Sequence, residues 1–219
     1  TDIDVGTLPA REIYDFVAAE GNLFETLSAQ ASWQRVTLNR GLFPTSGSST
    51  VLSLSATIPG SDLNYYRANI RQRYYRPLSN NFVFGFQGEL GYLNAYGDTE
   101  ETPFFQNFYA GGPRSLRGFK SNTLGPRSTD APCYEFNYEE ETCPNLIDTD
   151  GDGVLDSPYI NPYANTTSRY RDRPIGGNIK IEGSLQLIFK IPIIEDQRSI
   201  RSAFFLDFGN VFSDNCRDY

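Results

Sequence analysis

Alternation of apolar and polar residues dominates most of the chain. In six segments every second residue is apolar, and the residues between are polar or charged. Because successive side chains of a β-strand point to opposite faces, each segment is predicted to be a strand with one apolar and one polar face. The six segments are residues 26–34, 51–58, 65–76, 82–92, 178–189 and 200–211.

A helical pattern precedes the first strand. Ile13, Phe16 and Val17 follow the i, i+3, i+4 spacing of an amphipathic helix, and Gly21 suits the position that ends one. We therefore predict a short helix over residues 10–20, within a surface segment that comprises residues 1–25.

Two architectures share this alternation: a soluble antiparallel sheet over a core, and a membrane β-barrel with a polar lumen. The polar faces are heavily charged, and one of them contains Arg67, Arg71 and Arg73. Aromatic residues stand at the ends of two apolar faces, namely Tyr66, Tyr74, Phe82 and Tyr92. Such rings are typical of the interfacial girdles of a barrel, which favours the membrane architecture.

The lengths of the connections favour a barrel as well. Residues 40–49, 77–81 and 192–199 are short connections, whereas residues 93–177 are very long and a further loop opens after Val211. Short turns at one end and long loops at the other are typical of outer-membrane barrels. Six strands do not close such a barrel, so we expect this chain to be part of a larger one, cut within loops at both ends.

The composition restricts the function. The chain has 219 residues and a net charge of −8, which argues against a nucleic-acid partner. It contains no His, which excludes His-dependent catalysis and His metal sites, and no apolar run near the roughly 20 residues of a spanning helix. It also contains no Met, so we expect a processed or cut piece.

The long connection contains two cysteines in a polar, acidic stretch. Cys133 and Cys143 are predicted to form a local disulfide. Closing so short a loop would stabilise the fold by about 3 kcal/mol in the chain-entropy description. For Cys216 two interpretations stay open, a partner outside this chain or a free thiol.

An Asp-rich segment of the same connection is a candidate calcium site. Ca²⁺ prefers several oxygen ligands, which four carboxylates and one backbone carbonyl can supply. The candidate ligands are Asp148, Asp150, Asp152, the carbonyl of Val154, and Asp156. Tyr159 stands where an EF-hand has its bidentate Glu, so the pattern resembles the short calcium loops of thrombospondin type 3 repeats or dockerins. The alternative is an acidic, solvated turn.

The stretch at residues 103–127 is too aromatic for an ordinary surface loop and too rich in Gly and Pro for a helix or strand. At its centre, Arg117 and Gly118 lie between Leu116 and Phe119, which look buried. A permanently charged guanidinium among aromatic side chains requires a carboxylate partner. The strand alternation places Asp207 on a polar face, which makes it the candidate.

This stretch resembles the sixth-loop signature of the BamA-type outer-membrane assembly factors, the bacterial surface antigen family. The matching residues are Phe105, Asn107, Phe108, Tyr109, Gly111, Gly112, Arg117, Gly118, Phe119, Thr123, Gly125 and Pro126. Leu116 replaces the commoner Val. Residues 43–47, 58–61, 65–66 and 205–212 match as well, so the resemblance extends over most of the chain from about Trp33.

The resemblance implies an all-β fold, part of a sixteen-stranded antiparallel transmembrane barrel, in which the long loop folds back into the lumen. It also implies that Arg117 pairs with acidic residues of the inner wall, the first of which is Asp207. A second acid of the family aligns near Gln186, where this chain has no charge, and Glu182 on the same face is the candidate replacement. The implied site thus comprises Leu116, Arg117, Gly118, Phe119, Asp207 and Glu182.

The function implied by the resemblance is the insertion and folding of outer-membrane β-barrel proteins without nucleotide and without catalytic residues. The implied partners are nascent barrel proteins, accessory assembly lipoproteins and the lipid bilayer of the bacterial outer membrane. The chain then divides into residues 1–25, four strands in 26–92, a long extracellular loop in 93–177, two strands in 178–211, and the start of another extracellular loop in 212–219.

Three alternatives stay open at this point. A TamA-like assembly protein or a two-partner-secretion transporter would have the same signature. A soluble calcium-binding adhesion module would use the Asp-rich segment. A hydrolase could use paired carboxylates such as Glu89 and Glu182, although nothing in the sequence places them at a cleft.

Overall fold

The computed structural model describes residues 11–21, 23–128, 174–191 and 201–214. Helix α1 comprises Arg11–Glu20, and a 3-10 turn comprises Phe104–Gln106. The strands are β1 (Ser28–Val36), β2 (Gly47–Thr57), β3 (Tyr65–Pro77), β4 (Phe82–Ala95), β5 (Ile179–Phe189) and β6 (Ser202–Phe212). None of the helical segments in these ranges is long and apolar enough to cross a membrane.

The six strands form one sheet in the order β1-β2-β3-β4-β5-β6, with every neighbouring pair antiparallel. The prediction of an all-β antiparallel fold with six strands is therefore confirmed. Within the part of the chain that the structure describes, β1 and β6 each pair with one neighbour only.

The pairing register places like residues side by side on each face. On one side, Trp33 lies beside Leu52, which in turn lies beside Ile70. We call this side the apolar face, and its large side chains are exposed: Trp33, Leu54, Ile70, Leu90, Ile181, Phe204 and Leu206. The opposite side, the polar face, carries Arg71, Glu89, Lys180, Glu182 and Asp207. An apolar surface of this extent requires a non-aqueous partner.

The connections differ from the prediction in two places. Gly47 to Ser49, predicted to lie in a turn, begin β2, and Gly47 pairs with Tyr75 of β3. The run Gly-Ser-Ser-Thr lacks apolar alternation, so its strand character comes from the partner strands and not from its own pattern. In addition, residues 58–64 form a short connection at the same end of the sheet as the long loop, so not every connection at that end is long.

Helix α1 ends where the sequence predicts. The N–H of Gly21 donates to the carbonyl of Val17 at 2.9 Å, and Gly21 has a φ of +95°, which favours glycine. Phe16 of the helix is buried, and its ring lies 5.8 Å from the ring of Phe24. Phe16 of the helix thus packs on Phe24 of the segment that follows it.

Candidate functional site

The long loop (residues 96–178) joins β4 to β5, and its stretch from Phe108 to Arg117 contacts the polar face of the sheet. Backbone hydrogen bonds hold the loop to itself. The N–H of Phe108 donates to the carbonyl of Gly177 at 2.8 Å, and the N–H of Leu124 donates to that of Ala110 at 3.2 Å. The loop therefore has a fixed path before it reaches the strands that it contacts.

A glycine turn gives the loop its direction. Gly111 has a φ of +106°, and a Cβ atom added there would lie 2.5 Å from the carbonyl oxygen of Lys120. Only glycine allows so close an approach without a backbone shift. The chain folds back on itself between Ala110 and Leu124, which pair with each other, and Arg117 lies in the segment between these two residues.

Arg117 is held by β6 and β5. Its Nε and Nη2 atoms donate to the two carboxylate oxygens of Asp207 at 2.7 and 2.6 Å, and its backbone N–H donates to Asp207 Oδ2 at 3.0 Å. The Nη2 atom also donates to Ser184 Oγ at 2.8 Å, and the guanidinium lies 3.5 Å from the ring centre of Phe205. This is the bidentate geometry that distinguishes arginine from lysine.

The pair is partly removed from water. The side chain of Asp207 is 6% exposed, whereas that of Arg117 is 32% exposed. A carboxylate so covered needs the charge and the donors of its partner, because an uncompensated buried charge costs several kcal/mol. Arg117 and Asp207 thus form a bidentate ion pair between the loop and the sheet.

The residues beside Arg117 differ from one another in burial. Leu116 is 2% exposed, but Phe119 is 55% exposed among the described residues. The expectation that both look buried is therefore wrong for Phe119. Gly118, which lies directly before Phe119, has a φ of +91°, a conformation that favours glycine.

Glu182 lies close to the loop but contacts a different residue from the one expected. The hydroxyl of Ser115 donates to Glu182 Oε1, and Lys180 Nζ lies 3.1 Å from Glu182 Oε2. Within the described residues, the side-chain hydrogen bonds of Arg117 go to Asp207 and Ser184. The register explains this, because Ser184 lies directly opposite Asp207, whereas Glu182 lies opposite Gly209.

A chain of ion pairs continues along the polar face. Lys180 Nζ lies 3.5 Å from Glu89 Oε2, and Arg71 Nη2 lies 3.1 Å from the same oxygen. Glu89 also accepts a hydrogen bond from Asn69 at 2.9 Å, and Glu89 and Glu182 lie opposite each other on neighbouring strands. Cations compensate both carboxylates. A role as a free acid and base pair in hydrolysis therefore has no support in this geometry.

Sequence reasoning missed two residues that contact Arg117. Phe205 breaks the alternation of β6, since it is an aromatic residue on the polar face beside Asp207, and this irregularity was the available signal. Ser184 gave no signal, because a serine on a polar face is ordinary and its contact depends on the register of β5 and β6.

The remaining candidate residues lie outside the described residues. They are Cys133, Cys143, Cys216, Asp148, Asp150, Asp152, Val154 and Asp156. Among the residues that the structure does describe, there is no group of three or more His, Cys, Asp or Glu side chains that could hold a metal ion. The calcium site and the disulfide stay predictions from the sequence.

Comparisons with known proteins agree with the fold. Residues 4–219 match the Omp85 superfamily domain. The chain is 32% identical over 186 residues to the outer membrane protein assembly factor BamA of Neisseria meningitidis serogroup B. The matched region covers 85% of this chain and 19% of that protein. It also resembles the crystal structure of BamA from Haemophilus ducreyi lacking POTRA domains 1–3, with a TM-score of 0.68 and 28% identity, over 93% of this chain and 35% of that one. The chain thus spans about a fifth of the length of the curated relative that it matches.

Proposed function

Because the chain belongs to the Omp85 superfamily, we propose that the protein inserts and folds β-barrel proteins in the outer membrane of a Gram-negative bacterium. The chain itself is part of an outer-membrane β-barrel. The similar protein of Neisseria meningitidis is named an assembly factor, which supports the same role here. The proposal includes no chemical catalysis, and the candidate site acts by holding a loop.

The observation that carries the proposal is the bidentate contact of Arg117 with Asp207, which holds the long loop against the polar face. In a barrel the polar face lines the lumen and the apolar face contacts lipid. Removing one partner of so covered an ion pair costs about 3–5 kcal/mol. The loop therefore links β5 to β6 through Arg117, which contacts Ser184 on one strand and Asp207 on the other.

The proposed partners follow from the two faces and from the family. The exposed apolar side chains of Phe204 and Leu206 suit the hydrocarbon of a lipid bilayer. Nascent outer-membrane barrel proteins are the proposed clients, and accessory assembly lipoproteins are the proposed helpers. No nucleic acid takes part, which is consistent with the net charge of −8.

The loop beyond the described residues adds two proposals based on the sequence alone. Cys133 and Cys143 form a disulfide within the loop, and the segment from Asp148 to Asp156 binds Ca²⁺. Both belong to the part of the long loop that the family resemblance places at the cell surface.

Complementation in cells tests the function. The full-length protein replaces the assembly factor in a depletion strain, and the amount of folded porin in the outer membrane is measured. We expect Arg117→Ala to lower folded porin several-fold, and Arg73→Ala, an exposed arginine on the polar face of β3, to leave it within about twofold. Normal porin assembly with Arg117→Ala would contradict the role of the contact, and failure of the unaltered protein would contradict the function.

A further inference from the structure

Phe108 lies in a slot on the polar face, where its ring contacts β3 and β4. It is 3% exposed. The slot exists because β4 has glycine at position 91. A Cβ atom added to Gly91 would lie 2.6 Å from two carbon atoms of the Phe108 ring. The ring therefore occupies the space that any other side chain at position 91 would fill.

Arg67 of β3 covers the ring from the other side. The centre of its guanidinium group lies 4.2 Å from the centre of the Phe108 ring. A guanidinium at this distance from an aromatic face is attracted by the negative charge of the ring face. The Phe108 ring thus contacts Gly91 of β4, which has no side chain, and the guanidinium of Arg67 on the neighbouring strand β3.

The backbone of Phe108 is fixed as well. Its N–H donates to the carbonyl of Gly177, and its own carbonyl accepts from the N–H of Gly177 at 3.1 Å. The adjacent Asn107 donates from Nδ2 to the carbonyl of Ile175 at 3.0 Å. These contacts join the start of the loop to the segment that leads into β5.

The loop is therefore attached to the sheet at two places with different chemistry. Arg117 is attached to β5 and β6 by an ion pair, and Phe108 is attached to β3 and β4 by an apolar and cation–π contact. One attachment alone fixes a single point of the loop and leaves the loop free to turn about that point. Two attachments fix both position and orientation.

We propose that Phe108, Gly91 and Arg67 form a second anchor of the long loop, which positions Arg117 over Asp207 and couples β3 and β4 to β5 and β6. The role of this anchor in assembly rests on the proposed function, whereas the attachment of the loop can be tested by itself. Phe108 is a positioning residue, since it acts through the place that it gives to Arg117.

The test compares two glycines of β4 in the purified full-length protein. Gly91→Ala introduces a methyl group into the slot. Gly85→Ala is the matched control on the same strand and face, because its added Cβ atom would lie 3.0 Å from the Tyr75 ring and away from the loop. Trypsin cleavage after the exposed residues Arg114 and Lys120 reports the release of the loop.

We expect Gly91→Ala to raise the rate of loop cleavage by about tenfold, since cleavage follows the population of the open form. Gly85→Ala is expected to change the rate less than about threefold. Phe108→Leu lacks the two ring carbons that come closest to position 91 and should relieve the crowding. The double variant Gly91→Ala with Phe108→Leu should therefore be cleaved more slowly than Gly91→Ala alone. If the effects of the two substitutions on the cleavage rate were simply additive, the proposal would be overturned.

Two further variants keep the proposal testable if Gly91→Ala fails to fold. Phe108→Ala leaves the slot empty and should release the loop, and Arg67→Gln should do so to a smaller extent than Phe108→Ala. Protection equal to that of the unaltered protein in both would overturn the second anchor. Porin assembly is measured separately. If the loop is anchored as described but the protein assembles no porin, the result contradicts the proposed function and not the second anchor.

Discussion

Asp207 accepts hydrogen bonds from both the guanidinium group and the backbone N–H of Arg117, although the two residues are 90 positions apart. The contact therefore fixes the main chain of the loop as well as one side chain. The ring of Phe205, on the same face of β6, stacks against the guanidinium group. A change at position 117 can thus remove the side-chain bonds and leave the backbone bond in place.

Arg117→Lys separates charge from geometry. Lysine keeps the positive charge, but its single ammonium group does not reproduce the two parallel bonds to Asp207 or the contact with the Phe205 ring. We expect the free energy of loop opening to fall by about 2 kcal/mol for Arg117→Lys and by about 3–5 kcal/mol for Arg117→Ala. Protease resistance of the loop and the temperature at which the barrel unfolds on electrophoresis measure this. Equal protection with lysine and arginine would show that charge alone suffices.

Exchange of the two charges tests the backbone contribution. In the double variant Arg117→Asp with Asp207→Arg, an ion pair can form again, but the backbone N–H of residue 117 loses its carboxylate acceptor. An unsatisfied covered donor costs about 1–3 kcal/mol. We expect the exchange to recover less than half of the protection lost in Arg117→Asp alone. Complete recovery would mean that the backbone bond contributes nothing.

The sequence predicted most of the strands and the face on which Asp207 lies, because alternation alone determines which side chains share a face. It did not predict that Ser184 lies opposite Asp207 and Glu182 opposite Gly209, since the register between two strands depends on their pairing and not on either strand alone. The slot for Phe108 could not be predicted from the sequence either. A glycine in a strand has many explanations, and only the path of the loop reveals which one applies to Gly91.

Lys180 separates two carboxylates that face each other across β4 and β5. Its side chain is 11% exposed and lies within 3.5 Å of Glu89 and Glu182. Lys180→Met would leave like charges opposite each other in a covered site, which destabilises the sheet by several kcal/mol. We expect a lower unfolding temperature for Lys180→Met and a substantial recovery when Glu182→Gln is added. If Glu182→Gln lowered the stability further in that background, the carboxylates would not be repelling each other.

Calcium binding by the segment from Asp148 to Asp156 is open to direct measurement. Titration calorimetry of the full-length protein, first freed of bound metal with a chelator that is then removed, should show one Ca²⁺ site. We expect Asp150→Asn with Asp152→Asn to weaken binding by about tenfold or more, because each change removes a charged oxygen ligand. The matched control is Glu139→Gln with Glu140→Gln in the same acidic loop. A similar loss in the control would indicate diffuse attraction by negative charge and not a site.

Two glycines of the loop distinguish steric crowding from backbone strain. Gly111 and Gly118 both have positive φ angles, +106° and +91°, so alanine is strained by about 1–3 kcal/mol at either position. An added Cβ atom would approach the carbonyl oxygen of Lys120 to 2.5 Å at Gly111 but would meet nothing within 4 Å at Gly118. Gly111→Ala must therefore shift the backbone of the turn that carries Arg117, whereas Gly118→Ala need not. We expect Gly111→Ala to expose the loop to protease and to lower folded porin in cells, and Gly118→Ala to do so clearly less. The reverse order would mean that the conformation at Gly118, and not the close approach at Gly111, sets the position of Arg117 over Asp207.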